Sequence, residues 1–412
     1  MLNVAVIGGG ASGLLSAVLL AKAGHKVTLF EANDRVGKKI LASGNGHCNI
    51  SNKNITLHNY DGLDPEFPQT TLEQFPFISL EKCFKEFGLL FDIKEDGKAY
   101  PLSYEAKSVV ENLLMHADIH GVTILSNTKI VKINKEDSFS LHSESDSFKG
   151  FDKVILATGS LAASQLGGNE SGYIMAEHFG HTLAPTYPSL VQLELAGEVY
   201  AKMAGVKQFS EVSLYIDNNL TQKCKGDVLF TRYGISGLAI LDLSQKASYA
   251  LSLYSQVNIV VNLFPKYDRQ KLDSKIQALC KQLPKATFLT LISGLIHSKI
   301  ITEILKVLEI PKDIKAIDMN AKMIKKVVNL LINWKFNVTQ THGFKYAEVS
   351  GGGVLTNEIN PSTMQSFKEK DLYIIGELLD VVGERGGYNF HFAWASAFTA
   401  ATAIIKEAQS IN

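Results

Sequence analysis

The stretch that most constrains this chain runs from Val4 to Glu31. Val4-Ala-Val-Ile7 is an apolar run of the length of one buried strand, and Gly8, Gly10 and Gly13 follow at the spacing GxGxxG. Leu14 to Ala23 then reads as a helix stopped by Gly24, and Lys26 to Phe30 as a second strand that ends at Glu31. Strand, tight turn, helix, strand and acid, in that order, make a dinucleotide-binding βαβ unit. Gly8 permits the turn, Gly10 lets the backbone approach a pyrophosphate, and Gly13 lets helix and strand pack closely. The helix start at Ala11 and Ser12 faces the phosphates with free N–H groups. Glu31, 18 residues beyond Gly13, stands where a carboxylate accepts from the adenosine ribose, with Ala32 beside it.

The 412 residues are enough for two or three domains. Lys plus Arg and Asp plus Glu both number 41. That balance leaves no electrostatic footprint for nucleic acid or an anionic membrane, so a small-molecule substrate is expected and a nucleic-acid partner is not. Cys48, Cys83, Cys224 and Cys280 are far apart and form no CxxC. Neither a metal site nor a redox-active disulfide is expected, and the usage fits a reducing compartment. No Lys or Arg precedes the first apolar run, its glycines interrupt it, and no other run reaches 18 apolar residues. The reading is a cytoplasmic protein without a membrane span.

Asn33 to Asn52 packs glycines, small residues, asparagines and cations together, offering many backbone N–H groups beside positive charge. Lys38-Lys-Ile-Leu-Ala-Ser-Gly-Asn-Gly-His-Cys-Asn-Ile-Ser-Asn52 resembles the signature segment of the HI0933-like (YhiN/BaiN-type) flavoproteins, roughly G-[RK]-K-x-L-x-S-G-x-G-R-C-N-x-T-N. His47 stands where that family usually has Arg, and Ser51 where it usually has Thr. The resemblance implies FAD as cofactor and places Lys38, Lys39, Gly44, Asn45, Gly46, Cys48 and Asn49 against it.

The resemblance continues along the chain. Lys98-Ala-Tyr-Pro-Leu-Ser103 is similar to the family's R-x-[FY]-P-x-S, which brings Tyr100 near the flavin. In related two-dinucleotide-fold flavoproteins the strand Thr128 to Ile133 passes the adenine, with backbone contact at Ile130. Lys153-Val-Ile-Leu-Ala-Thr-Gly159 is similar to the Ala-Thr-Gly strand end that closes over the diphosphate, through Thr158 and Gly159. Leu229-Phe-Thr-Arg-Tyr-Gly-Ile-Ser-Gly237 resembles L-F-T-x-x-G-x-S-G. The segment from Gly376 to Ala397 resembles the closing motif G-E-x-L-D-x-x-G-x-x-G-G-Y-N, with Ala397 in place of its final Gly. By resemblance, Gly376, Glu377 and Asp380 lie along the ribityl chain and diphosphate. Gly386, Gly387, Tyr388 and Asn389 meet the isoalloxazine, and a helix N-terminus there stabilises the reduced flavin.

The expected architecture is α/β: a Rossmann-like FAD domain of the two-dinucleotide-binding type, with inserted β-barrel-like and small helical subdomains. The expected limits are 1–187 and 336–412 for the FAD domain, 188–266 for the β insertion and 267–335 for the helical one. The strands of the insertion are expected at Leu190–Leu195, Val212–Ile216, Asp227–Thr231 and Val257–Phe264, with Asp217-Asn-Asn219 as a turn. Only one GxGxxG is present, so no separate NAD(P)H domain is expected; NAD(P)H can still dock transiently at a flavin face.

Three functions fit. The first is an NAD(P)H-dependent flavoprotein oxidoreductase that reduces a small unsaturated or carbonyl substrate. The second is an FAD-dependent oxidase of a small primary amine, of the aminoacetone oxidase type, using O2. The third is a flavin-bound RNA- or partner-binding protein with little turnover. The catalytic candidates are His391, His47 and Tyr100, and His391 is placed on the first helical turn after Asn389, facing the ring.

Overall fold

The computed structural model describes residues 1–410. The chain forms two compact units, one of Met1–Tyr187 with the chain from Glu348 onward, the other of Pro188–Ala347.

The first unit is built on a five-stranded parallel sheet in the order Leu372–Ile374, Lys153–Leu156, Asn3–Ile7, Lys26–Phe30, Thr123–Leu125. Val6 pairs with Ile155 on one side and Leu29 on the other. Val4 to Ile7 of the central strand are apolar because helices cover both faces of a parallel sheet, and Val4, Ala5 and Val6 are fully buried. Helix Ala11–Lys22 packs against helix Ala106–Ile119 and the long final helix Tyr388–Ser410. An antiparallel meander, Ile130–Lys135, Phe139–Ser143 and Ser147–Phe151, lies before the strand that ends in Ala157-Thr158-Gly159. This is the Rossmann-type α/β unit the glycine fingerprint calls for.

The second unit contains a closed six-stranded barrel in the order Leu193–Leu195, Gly234–Ser236, Asn219–Phe230, Lys207–Ile216, Val257–Asn262, Trp334–Thr341. The long hairpin turns at Asp217-Asn218, both at positive φ (49° and 67°), as a two-residue turn between twisted strands requires. Two expectations are corrected here. The return to the nucleotide unit comes at Glu348, not at 336, because Trp334–Thr341 pairs with Val257–Asn262 and with Leu193–Leu195 and so closes the barrel. Its alternation of buried Trp334, Phe336 and Val338 with exposed neighbours marks a half-buried strand but carries no label of the sheet it joins. Nor do barrel and helices separate at 266: helices Arg269–Gln282, Ser298–Val307 and Ala321–Ile332 share one hydrophobic core with the barrel.

Among the described residues, no helix is long and apolar enough to cross a membrane. No group of three or more His, Cys, Asp or Glu that could hold a metal ion occurs among them either.

Candidate functional site

The site begins where Asn3–Ile7 ends. Gly8 turns the chain at φ +107, and a Cβ there would sit 2.3 Å from the carbonyl oxygen of Ala157. At Gly13 a Cβ would sit 1.8 Å from Gly8 O, so the helix reaches the turn only through a bare Cα. At Gly10, Gly46 and Gly159 a Cβ would meet no atom within 4 Å. Thr158 Oγ1 and Asn49 Oδ1 are buried with no hydrogen-bond partner among the described residues, and Thr158 Oγ1 packs against Gly172. Bare backbone and a helix N-terminus together fit a dinucleotide phosphate.

Glu31 is buried, and its carboxylate accepts from Gly9 N (2.8 Å), Asn33 N (2.8 Å) and Asn33 Nδ2 (2.6 Å). Those three bonds fasten the glycine turn to the loop that follows. A carboxylate has about four acceptor positions, so one is left for a ribose hydroxyl. Ala32 beside it is exposed, and Ile130 is buried at the start of its strand. Both signature lysines are paired: Lys38 with Asp34 (2.7 Å), and Lys39 with Glu377 (2.8 Å). Glu377 also accepts from Ser160 Oγ (2.7 Å) and Ser350 N (3.0 Å). It thus ties together four segments distant in sequence.

Hydrogen bonds tie the closing motif to the rest of its unit. Asp380 is buried, and accepts from Leu63 N (2.9 Å) and Gly352 N (3.1 Å). Burial pushes its carboxyl above the ordinary range, and those two N–H groups work against that rise. Asn389 accepts from Gly383 N and donates to Gly383 O, both at 2.8 Å, so it braces its own turn. Gly376 (φ +69) abuts Ser12, and Gly387 (φ +98) has Ser51 O 2.4 Å from where its Cβ would lie. The Tyr388 carbonyl accepts from Tyr60 O–H (3.0 Å), and burial raises the Tyr388 phenol.

His391 does not stand at a ring face. It is fully buried, with Nε2 3.0 Å from Phe75 O and Nδ1 2.8 Å from Ser51 Oγ. A carbonyl only accepts, so Nε2 carries the hydrogen and Nδ1 accepts the serine O–H. Desolvation pushes its pKa down to about 4, although the Phe75 bond opposes the shift. This is a neutral core histidine with both nitrogens in use, which corrects the catalytic expectation. The sequence offset of two from Asn389 does not reveal which side of the helix meets the core.

Cys48 is likewise buried, and desolvation raises its thiol to about 12 despite a hydrogen bond from Ser43, so it is no nucleophile at neutral pH. His47 and Tyr100 remain at the surface side. His47 is exposed and its Nδ1 lies 2.7 Å from Tyr104 O. Tyr100 stacks with Tyr104 at 5.8 Å. Tyr104, Ser51, Ser160 and Ser350 are the participants that sequence reasoning missed. Their roles rest on contacts across long chain separations, except for Tyr104, whose position beside a Tyr-Pro turn was the available sign.

A family model described as the HI0933-like protein Rossmann domain matches residues 2–403. The chain is 32% identical over 406 residues to a 3-dehydro-bile acid delta(4,6)-reductase of Clostridium scindens, covering 98% of this chain and 99% of the relative. It is 31% identical over 409 residues to a ribosomal RNA dihydrouridine synthase of Haemophilus influenzae, covering 98% of each. Among solved structures, the 3-ketosteroid delta1-dehydrogenase of Sterolibacterium denitrificans superposes with a TM-score of 0.52 at 11% identity, over 99% of this chain and 100% of that one. That last likeness bears on the fold alone. With its fingerprint, its parallel sheet and these full-length relatives, the chain belongs to the HI0933-like family of FAD-dependent oxidoreductases.

Proposed function

We propose that this protein reduces a carbon–carbon double bond conjugated to a carbonyl group, with NAD(P)H as the electron donor and a small molecule as substrate. One observation carries the reading. Two full-length relatives are named for different molecules, a 3-dehydro-bile acid and a uridine in ribosomal RNA, yet both names describe saturation of such a bond. Uridine's C5=C6 bond is conjugated to its C4 carbonyl, as the bile acid's ring double bonds are to the C3 carbonyl.

Bound FAD supplies the hydride chemistry. The chain's own part is to hold and shield it. Gly8, Gly10 and Gly13 would present backbone to the diphosphate, and Glu31 would receive a ribose hydroxyl. Lys39 and Glu377 neutralise each other, so they contribute position more than charge. The exposed lip from Gly44 to His47, with Tyr100 beside it, is left to face substrate.

A small molecule is favoured by the equal count of 41 acidic and 41 basic residues, since RNA binding rests on a surplus of cations along the phosphates. The second reading, a uridine in RNA, is supported by the 31% identity to the synthase. The test is anaerobic. The yellow protein is bleached with NADPH or NADH, then offered a 3-oxo-4,6-diene steroid or unmodified ribosomal RNA. Recovery of flavin colour with a product that has gained two hydrogens supports the reading and names the substrate. Indifference to both nicotinamides, with peroxide formed from aminoacetone in air, overturns it in favour of an amine oxidase.

A further inference from the structure

Tyr104 takes a left-handed backbone conformation, φ +56, which strains a tyrosine and costs a glycine almost nothing. Its N–H closes a turn onto Pro101 O at 2.8 Å. Its carbonyl accepts from His47 Nδ1 at 2.7 Å. The side chain is held too: the phenol O–H donates to the Asp92 carboxylate, Asp92 pairs with Lys94 at 2.8 Å, and the Lys94 ammonium lies 4.7 Å over the Tyr104 ring. Strained residues persist where the surroundings over-determine them, and they concentrate at functional sites.

The consequence falls on His47. A carbonyl oxygen accepts and never donates, so the hydrogen between the two residues belongs to Nδ1. The ring therefore gains or loses its other proton at Nε2, and no hydrogen bond occupies Nε2 among the described residues. His47 sits on the lip where Gly44, Asn45, Gly46 and Cys48 all have positive φ. Tyr100 Cε1 lies 3.9 Å from the position of a Gly44 Cβ, so the lip and the Tyr100–Tyr104 stack are in contact.

We propose that Tyr104 is a positioning residue: its strained carbonyl holds His47 so that Nε2 gives a proton to the substrate's α-carbon. This rests on the proposed reduction. A hydride equivalent, originating in NAD(P)H, adds to the β-carbon, and the π pair moves toward the carbonyl oxygen. The α-carbon then takes the proton from Nε2–H as the carbonyl re-forms. The imidazolium becomes the neutral Nδ1–H ring, keeps its bond to Tyr104, and regains a proton from water. Two electrons and two hydrogens enter the substrate, and one nicotinamide is oxidised.

The experiment uses the holoenzyme, reduced with dithionite in the absence of oxygen. It is reoxidised either by ferricyanide, which needs no proton on carbon, or by androsta-4,6-diene-3,17-dione or unmodified ribosomal RNA, whichever the wild type accepts. His47→Gln is expected to slow reoxidation by the organic oxidant at least about 100-fold and to leave the ferricyanide rate unchanged. Tyr104→Gly, which accepts the left-handed backbone but gives up the Asp92 and Lys94 contacts, is expected to lose less of that rate than His47→Gln does. Tyr104→Val, which rejects it, is expected to fall toward His47→Gln. Nitrogen chemical shifts of labelled His47 give a readout independent of turnover: the Nδ1–H tautomer in wild type and Tyr104→Gly, a mixed ring in Tyr104→Val. A wild-type rate in His47→Gln overturns the proton role, and equal losses in the glycine and valine variants, or no Nδ1–H preference in the wild type, overturn the positioning role. A wild type that neither organic oxidant recolours overturns the proposed reduction itself, and the roles of both residues in it.

Discussion

Two glycine-rich segments of the nucleotide unit look alike in composition and do opposite things. Around Gly8 to Gly13, only two of the fingerprint glycines are packed against backbone; at Gly10 a Cβ would meet nothing within 4 Å. In the closing segment, Gly376, Gly383, Gly386 and Gly387 would all bring a Cβ within 3.1 Å of protein atoms. The polar side chains follow the same division. Glu31 beside the cradle keeps one acceptor position, whereas Asn389 and His391 have spent theirs on the protein itself. A glycine next to a binding motif can thus serve a ligand or a neighbouring strand, and only its surroundings tell which.

The division can be broken most directly at Gly13. Gly13→Ala places a methyl 1.8 Å from Gly8 O and is expected to cost more than about 3 kcal/mol, seen as lost soluble holoprotein and a lower Tm. Gly10→Ala, three residues earlier, is expected to change the stability of the flavin-free protein by less than about 1 kcal/mol while weakening FAD retention at least about tenfold, worth 1.4 kcal/mol. If both variants lose stability equally, the contrast between packed and open glycines fails.

The next effect is in the closing segment. Gly387→Ala combines an unfavourable φ with a clash against Ser51 O and is expected to cost about 2–4 kcal/mol, read from denaturant unfolding without FAD. A loss that shows only when FAD is present would return this glycine to the ligand.

His391 supplies a third, through pH. Its folded pKa, about 4, lies below the ordinary 6.5, so the unfolded chain binds a proton that the folded chain refuses. The stabilisation is full above about pH 6.5 and is lost progressively as pH falls toward 4. The shift corresponds to about 3 kcal/mol. His391→Gln should flatten that limb of the stability profile and leave the pH dependence of turnover unchanged. A shifted turnover profile would put His391 back in the chemistry. Smallest of all, Cys48→Ala is expected to leave flavin reduction unaltered, and native Cys48 to resist iodoacetamide at pH 8, since its thiol titrates near 12.

What could be read from the sequence follows from the range of the interactions. The βαβ start and the strand ending in Ala157-Thr158-Gly159 are local patterns, written in consecutive residues, and the structure forms them where the pattern lies. The insertion is expected as β-barrel-like and is a barrel, but its last strand is not expected to belong to it, because closure depends on Leu193 meeting Thr341 across 148 residues (341 − 193). The candidate site divides similarly. Glu31 and the glycines announce themselves by spacing. The inward turn of His391 depends on Phe75 and Ser51, and Tyr104's left-handed backbone on Asp92, Lys94 and His47, none of which a spacing rule connects.

The parallel pairing of Lys153–Leu156 with Leu372–Ile374 has a consequence for biosynthesis. Leu156 and its partner Ile374 are 218 residues apart (374 − 156). At about 5–20 residues per second, the ribosome takes roughly 10–40 s to deliver the second strand after the first. Throughout that interval Val154, Ile155 and Leu156 form an apolar border with no neighbour on one side, the kind of border that recruits strands from other chains. The whole barrel unit emerges in the same interval. The newborn protein is therefore most exposed to aggregation while its second unit is being made, and slowing translation between residues 188 and 371 should lower the yield of native protein more than slowing it before residue 120.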